Sequence, residues 1–321
     1  VLFSIDRLDQ GRNFMNKLWN CSRFIMMNIN ENETYSFHHI DDKSLESIDK
    51  WILSKLNKTI YDVNKYLSDY KLNEAIKSIY NFIWKDYCDW YIEFSKIRIY
   101  GDNVSNRKTV LSVAIFVLKN ILKLLHPYAP FITEELWSYY KDKDENILVN
   151  SAWPNVENKY IDANIEKEMN FVMKVISSIR NIKADLSISP KKEAELICRG
   201  NKNKTDIILN NKKYFTSLIK IKNIDVGEKI AKPAQASTAV INDVEIFLPL
   251  ADLIDLDKEI SRLKLKISDV EGRLNAVKSK LDNQNFVQRA PKEIVDHEQK
   301  KYDNYKNDYD KLVMNLNSLS S

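Results

Sequence analysis

Two heptad runs near the carboxy-terminal end limit what this chain can fold into more than any other feature. Leu256, Ile260, Leu263, Ile267, Val270, Leu274, Val277 and Leu281 step by four and three, and so do Val295, Glu298, Tyr302, Tyr305, Tyr309, Leu312, Leu316 and Leu319. A helix that buries only such a narrow seam must pair with something. The break between the runs, from Asp282 to Pro291, is short and ends on a residue tolerated at a helix start. Each helix is therefore the other's nearest partner, which predicts an antiparallel hairpin roughly 35 to 40 Å long at 1.5 Å rise per residue. Self-association through the same seam is the competing outcome.

The two halves of this hairpin differ in charge. From Lys258 to Lys292 nine Lys or Arg stand against four acids, a net of +5, whereas Glu293 to Lys311 carries four Lys against six acids, a net of −2. One reading is that flanking charges lock the hairpin together. The other is a basic stripe presented to a phosphate backbone.

Composition narrows the classes. A chain of 321 residues predicts two or three compact units. With five glycines and neither GxGxxG nor GxxxxGK[ST] anywhere, a fold built on glycine-rich phosphate loops is disfavoured. A net charge of +4 is too small to argue for nucleic acid by itself. Cys21, Cys88 and Cys198 are isolated and odd in number, which offers neither a disulfide framework nor a CxxC metal site and suits a reducing compartment. His38 and His39 share a polar loop while His126 and His297 stand alone, so no metal centre is expected. No apolar stretch has the length of a membrane span. The chain opens mid-pattern on Val1, and it is expected to be a fragment of a longer protein.

The fold expected is mainly α. Residues 1–154 read as an antiparallel helix bundle, with helices from Asp6 to Met27, after Asp42 through Val63, from Leu72 to Ile99, from after Asn103 to Leu125, and from a Thr133 cap to Tyr140. Residues 155–250 read as a small α+β unit. It holds a helix from Ile161 to Lys183, strands at Ala194–Cys198, Ile221–Val226, Ser237–Ile241 and Val244–Leu248, and a helical piece from Thr205 to Leu218. Asn242-Asp243 is a hairpin turn signal. Residues 251–321 are the coiled-coil hairpin.

On a 100° wheel the first helix places Phe14, Met15, Leu18, Trp19, Ser22, Ile25 and Met26 on one broad face, the expected core. Asn13, Lys17, Asn20 and Phe24 line the opposite face. A phenylalanine among amides and a lysine is either covered by another helix or is an aromatic platform for an unstacked base, with Arg7, Arg12 and Arg23 close by.

Several stretches carry a family resemblance. Gly11 to Phe24 (GRNFMNKLWNCSRF) resembles the segment that opens the helical anticodon-binding domain of class I valyl-tRNA synthetases. Phe82 to Lys96 (FIWKDYCDWYIEFSK) resembles that family's long aromatic helix, and His126 to Trp137 (HPYAPFITEELW) the helix shared with its isoleucine and leucine relatives. Leu248 to Leu263 resembles the entry to the terminal coiled coil, and Asn285 to Pro291 (NFVQRAP) its tip. The isoleucine enzymes typically end in a cysteine-rich zinc module that three scattered cysteines cannot build, and the leucine enzymes lack the long coiled coil. Met15 and Cys21 depart from the family's usual alanine but remain apolar.

The resemblance implies a carboxy-terminal tRNA-binding portion. Phe24 would be the stacking platform, Arg7, Asn13, Lys17 and Arg23 its polar contacts, and Asp89, Trp90 and Glu93 a second wall, Trp90 being equally readable as core. Arg262, Lys266, Arg273, Lys278 and Lys280 would meet tRNA phosphates at the outer corner. The HIGH, KMSKS and editing segments match nothing here, so no catalytic residue, metal or cofactor is expected in this chain, while the intact enzyme would use ATP. The partner implied is valine tRNA, bound by a cytoplasmic monomer without a membrane role. The alternatives are a coiled-coil scaffold or dimerisation module, or the equivalent part of an isoleucine- or leucine-type synthetase.

Overall fold

The computed structural model describes residues 5–30, 32–142, 145–251, 253–289 and 291–320, except for some side chains near the ends of segments, those of Arg7, Leu256 and Leu319 among them. It is mainly helical, with one four-stranded mixed sheet. Its contacts group into two compact units, residues 1–171 and 172–321.

The first unit is an antiparallel bundle built from α1 (Ile5–Met26), α2 (Ser47–Ser68), α3 (Leu72–Asn81), α4 (Ile92–Ile99), α5 (Val104–Leu125) and α6 (Pro130–Tyr140). The sequence of α5 is apolar on nearly every face, which only a fully enclosed helix tolerates. Val110, Leu111, Val113, Ala114, Val117, Leu118, Ile121, Leu122, Leu124 and Leu125 are accordingly buried. Asn103 starts α5 by accepting a hydrogen bond from Asn106 N at 3.0 Å. A capping box starts α2, in which Asp49 accepts from Glu46 N at 3.0 Å.

Asp49 has a second task. It is fully buried, pairs with buried Arg98 and accepts from the Tyr91 hydroxyl at 3.1 Å. Burial pushes its carboxyl up, and the Arg98 guanidinium opposes that shift.

Four expectations change here. The aromatic helix over 72–99 is interrupted, because between α3 and α4 residues Phe82–Tyr91 form a π-helical stretch whose hydrogen bonds reach one residue further and widen the turn. Tyr87 and Tyr91 stack within it at 5.9 Å, and the Tyr87 hydroxyl donates to Ala114 O of α5 at 2.7 Å. Helix α6 begins at Pro130 rather than at a Thr133 cap. Proline is preorganised for that first turn, and the Thr133 hydroxyl donates back to Ala129 O at 2.8 Å. On α1, Trp19 and Met26 are exposed, while Cys21 joins Phe14, Leu18, Ser22 and Ile25 in the core. The buried stripe is thus rotated toward the π-helical stretch. The helical piece near 205–218 is two helices, α8 (Lys202–Asn210) and α9 (Lys212–Ile219), with a break at Asn211.

The second unit contains β1 (Ala194–Arg199), β2 (Ile221–Gly227), β3 (Ala236–Ile241) and β4 (Val244–Pro249) in the order β2-β1-β4-β3. β1 and β2 are parallel and joined through α8 and α9, whereas β4 lies antiparallel to both β1 and β3. The two-residue turn between β3 and β4 puts Asn242 at φ 57°, a conformation asparagine tolerates better than most residues. Helix α7 (Ala163–Asp185) crosses the boundary of the two units.

The hairpin belongs to the second unit. α10 (Leu256–Asp282) is started by Asp255, which accepts from Lys258 N at 3.2 Å, and it packs along α12 (Lys292–Ser320). The break between them holds a short helix, α11 (Gln284–Arg289), and Pro291 sits just outside α12 with its carbonyl accepting from Ile294 N at 2.9 Å. Leu263, Val277 and Glu298 are buried along the seam, and α12 also packs against β3.

Candidate nucleic-acid interface

The polar stripe of α1 runs beside the π-helical stretch and α4. Lys17 Nζ lies 2.5 Å from Asp89 Oδ1 and 3.8 Å from the centroid of the Trp84 ring. Trp84 is backed in turn by Tyr80 at 5.7 Å and Phe14 at 6.5 Å, so the cation closes an aromatic stack at its open end. Two turns further along α1, Phe24 is half-buried and meets the ring of Tyr100 edge-on at 6.2 Å. Lys96 Nζ sits 5.5 Å from the Phe24 centroid and 2.5 Å from Glu93 Oε1. Behind the ring, the Asn28 side chain donates to Phe24 O at 2.8 Å, and Arg107 Nη2 donates to Asn28 O at 3.0 Å, which fixes the end of α1.

Of the residues expected from sequence, the structure brings together Lys17 with Asp89, and Phe24 with Glu93 by way of Lys96. Asn13 and Arg23 are exposed on α1 beside this face. Trp90 is half-buried against fully buried Phe94 at 5.6 Å. The Arg7 side chain lies outside the described residues.

Trp84, Lys96 and Tyr100 were missed. Their signal was visible only in part: Lys96 follows Glu93 by three positions, one helical turn, but nothing local says that this turn lies against Phe24. Tyr100 is 68% exposed at the end of α4, next to the ring it would help to frame a base with.

The face is electrically balanced. Asp89 and Glu93 each engage a lysine, so the pairs offer donors and acceptors with little net pull on phosphate. Carboxylates accept from exocyclic amino groups of bases, and the open aromatic edges suit an unstacked base.

On the hairpin the candidate cations separate. Lys280 Nζ approaches Glu298 Oε2 of α12 at 3.6 Å, and Lys301 Nζ lies 2.7 Å from Glu298 Oε1. The hydrogen bond from Lys301 holds the Glu298 carboxyl below its usual range against the effect of burial, and the Lys280 charge adds to it. Arg273 pairs with Asp269 one turn earlier at 2.9 Å. Lys266 lines a cleft with Asp185, Asp269 and Asp308. Lys278 is exposed and Arg262 half-buried. Lys280 therefore braces the hairpin, while Lys266 and Lys278 are exposed on its surface. Among the described residues no group of His, Cys, Asp or Glu has the arrangement to hold a metal ion, and no helix is long and apolar enough to cross a membrane.

Comparison with known proteins matches two stretches of the chain. Residues 49–198 match the anticodon-binding domain of tRNA ligases, and residues 255–320 match the valyl tRNA synthetase tRNA-binding arm. The valine–tRNA ligase of Bacillus cereus is 36% identical over 94% of this chain and 34% of its own length. That of Oceanobacillus iheyensis is 35% identical over 99% of this chain and 36% of its own. That of Bacillus subtilis is 35% identical over 94% of this chain and 34% of its own. The chain spans about a third of the length of these relatives. With both domain models matched and this identity along nearly all its length, the chain belongs to the valine–tRNA ligase family, in the part that carries the anticodon-binding domain and the tRNA-binding arm.

Proposed function

We propose that this chain binds valine tRNA for a valine–tRNA ligase whose catalytic segments lie elsewhere in the protein. The bundle, residues 1–154, reads the anticodon; residues 155–250 join it to the arm; and residues 251–321 hold the outer corner of the tRNA. The observation that carries the reading is the α1 face, where half-buried Phe24 stands beside exposed Tyr100 and the Lys96–Glu93 and Lys17–Asp89 pairs. An aromatic platform flanked by balanced charge reads bases. Arg7, Asn13 and Arg23 supply further polar contacts, with Asp89, Trp90 and Glu93 as the opposite wall. Along the arm, Arg262, Lys266, Arg273, Lys278 and Lys280 supply positive charge, which attracts phosphate without regard to sequence.

The contribution to aminoacylation is positional. By fixing two distant parts of the tRNA, the chain turns delivery of the acceptor end into an intramolecular event. Valine, ATP and the chemistry belong to the catalytic part, and the working state is a cytoplasmic monomer. A nuclease footprint of valine tRNA with the full chain tests this: protection is expected at the anticodon loop and at the outer corner together. Protection absent from the anticodon loop rejects the role of the bundle, and a dimer in sedimentation returns the hairpin to the scaffold class.

A further inference from the structure

Lys183 has no role in tRNA recognition as described above, yet it is the most unusual charge of the second unit. It stands near the end of α7 and is 3% exposed. Its ammonium donates to Lys192 O at 2.7 Å and to Ile219 O at 2.8 Å. Among the described residues no carboxylate pairs with it, and burial pulls its pKa down. Tying two carbonyls together requires only neutral donors. A buried ammonium without a counter-charge is strongly unfavourable, and this one has three donors of which two are used.

Lys183 lines a cavity of about 470 Å³. Arg180, one turn earlier on α7, lines it as a second cation, and among the described residues no acid does. The remaining wall is apolar and comes from Ala184, Ile188, Pro190, Leu218 and Ile219. A volume in the range of roughly 300–1,000 Å³ is usual for small-molecule sites, which are largely apolar with a few placed polar groups.

We infer that this cavity binds a small aliphatic carboxylate, with the carboxylate between Arg180 and Lys183 and the hydrocarbon against Ile188, Leu218 and Ile219. An inorganic anion would leave the apolar wall in water, and a neutral hydrocarbon would leave the ammonium uncompensated. A monocarboxylate with a short chain satisfies both ends.

The test is titration of the full chain with hexanoate, followed by calorimetry and by amide chemical shifts, with hexan-1-ol as the neutral match. Saturable hexanoate binding below roughly 10 mM is expected, with shifts centred on Ala184, Ile188, Leu218 and Ile219 and no comparable binding of hexanol. Arg180→Gln, at an exposed position, should weaken hexanoate at least about tenfold, as expected for removing one charge-assisted contact. Lys183→Gln keeps two amide donors for the carbonyls and should weaken it further. Equal binding of hexanol, shifts centred elsewhere, no saturation in this range, or an unchanged affinity in Arg180→Gln would each overturn the assignment.

Discussion

Phe24→Ala gives the sharpest separation of recognition from stability, because the structure places this ring between the two. Phe24 is half-buried on α1, with Tyr100 edge-on at 6.2 Å and Lys96 at 5.5 Å. An aromatic pair contributes about 0.5–1.5 kcal/mol beyond its buried area, and an exposed cation over a ring about 0.5–1 kcal/mol, so folding should lose about 1–2.5 kcal/mol in addition to the ring's modest area term. Phe14, only three turns away on the same helix, is 4% exposed between Tyr80 and Trp84, and truncating it should cost about 3–5 kcal/mol. Binding should show the reverse order. If a base stacks on Phe24, its loss weakens tRNA affinity by about 1–3 kcal/mol, or roughly 5- to 150-fold. Fluorescence anisotropy with labelled valine tRNA, below the melting temperature of each variant, measures affinity, and thermal denaturation measures stability. The reasoning is refuted if folded Phe24→Ala binds tRNA as tightly as the parent, since the ring would then be only a packing element.

Changing Lys266 and Lys278 together to Gln should flatten the log–log salt dependence of tRNA binding by up to about 1.8, at about 0.9 for each phosphate no longer neutralised; an unchanged slope means these cations do not meet the backbone. Asp49→Ala removes the closest partner of buried Arg98, leaving Glu46 Oε1 at 3.7 Å, and should cost up to about 3–5 kcal/mol in denaturant unfolding, and a cost within ordinary surface-mutation scatter would reject the pair as a determinant of the bundle. The Glu298 carboxyl, held below its usual 4.5 by the Lys301 hydrogen bond, stabilises the hairpin above that value, and its contribution is lost as pH falls through the lower folded-state value. Acid melting of the parent should therefore fall more steeply than that of Glu298→Gln, and parallel curves would show the ion pairs to be inert.

Local pattern carried a large share of the result. The heptads, the apolar wheel of α5, the alternating strands and the Asn242 turn are written in short stretches, since a helix or strand repeats its faces every few residues. The family motifs are local too. The faces themselves were less legible. A wheel for α1 assigns Trp19 and Met26 to the core as readily as Cys21, and only packing beside the π-helical stretch buries Cys21 and leaves the other two exposed. The π-helical stretch has the same dependence, because its tyrosines are held by hydrogen bonds to α2 and α5, which lie far away in sequence.

Sequence by itself determined which segments are helical, that the last two must pair, that their charges are unequal and to which family the motifs point. Tertiary structure decided that Phe24 meets Tyr100 and Lys96, that Lys17 is shared between Asp89 and Trp84, that Lys280 braces the hairpin while Lys278 stays exposed, and that Lys183 is buried without an acid. The physical reason is that periodicity sets how a segment presents its own side chains, while burial, ion pairing and aromatic contact depend on which distant segment arrives opposite them.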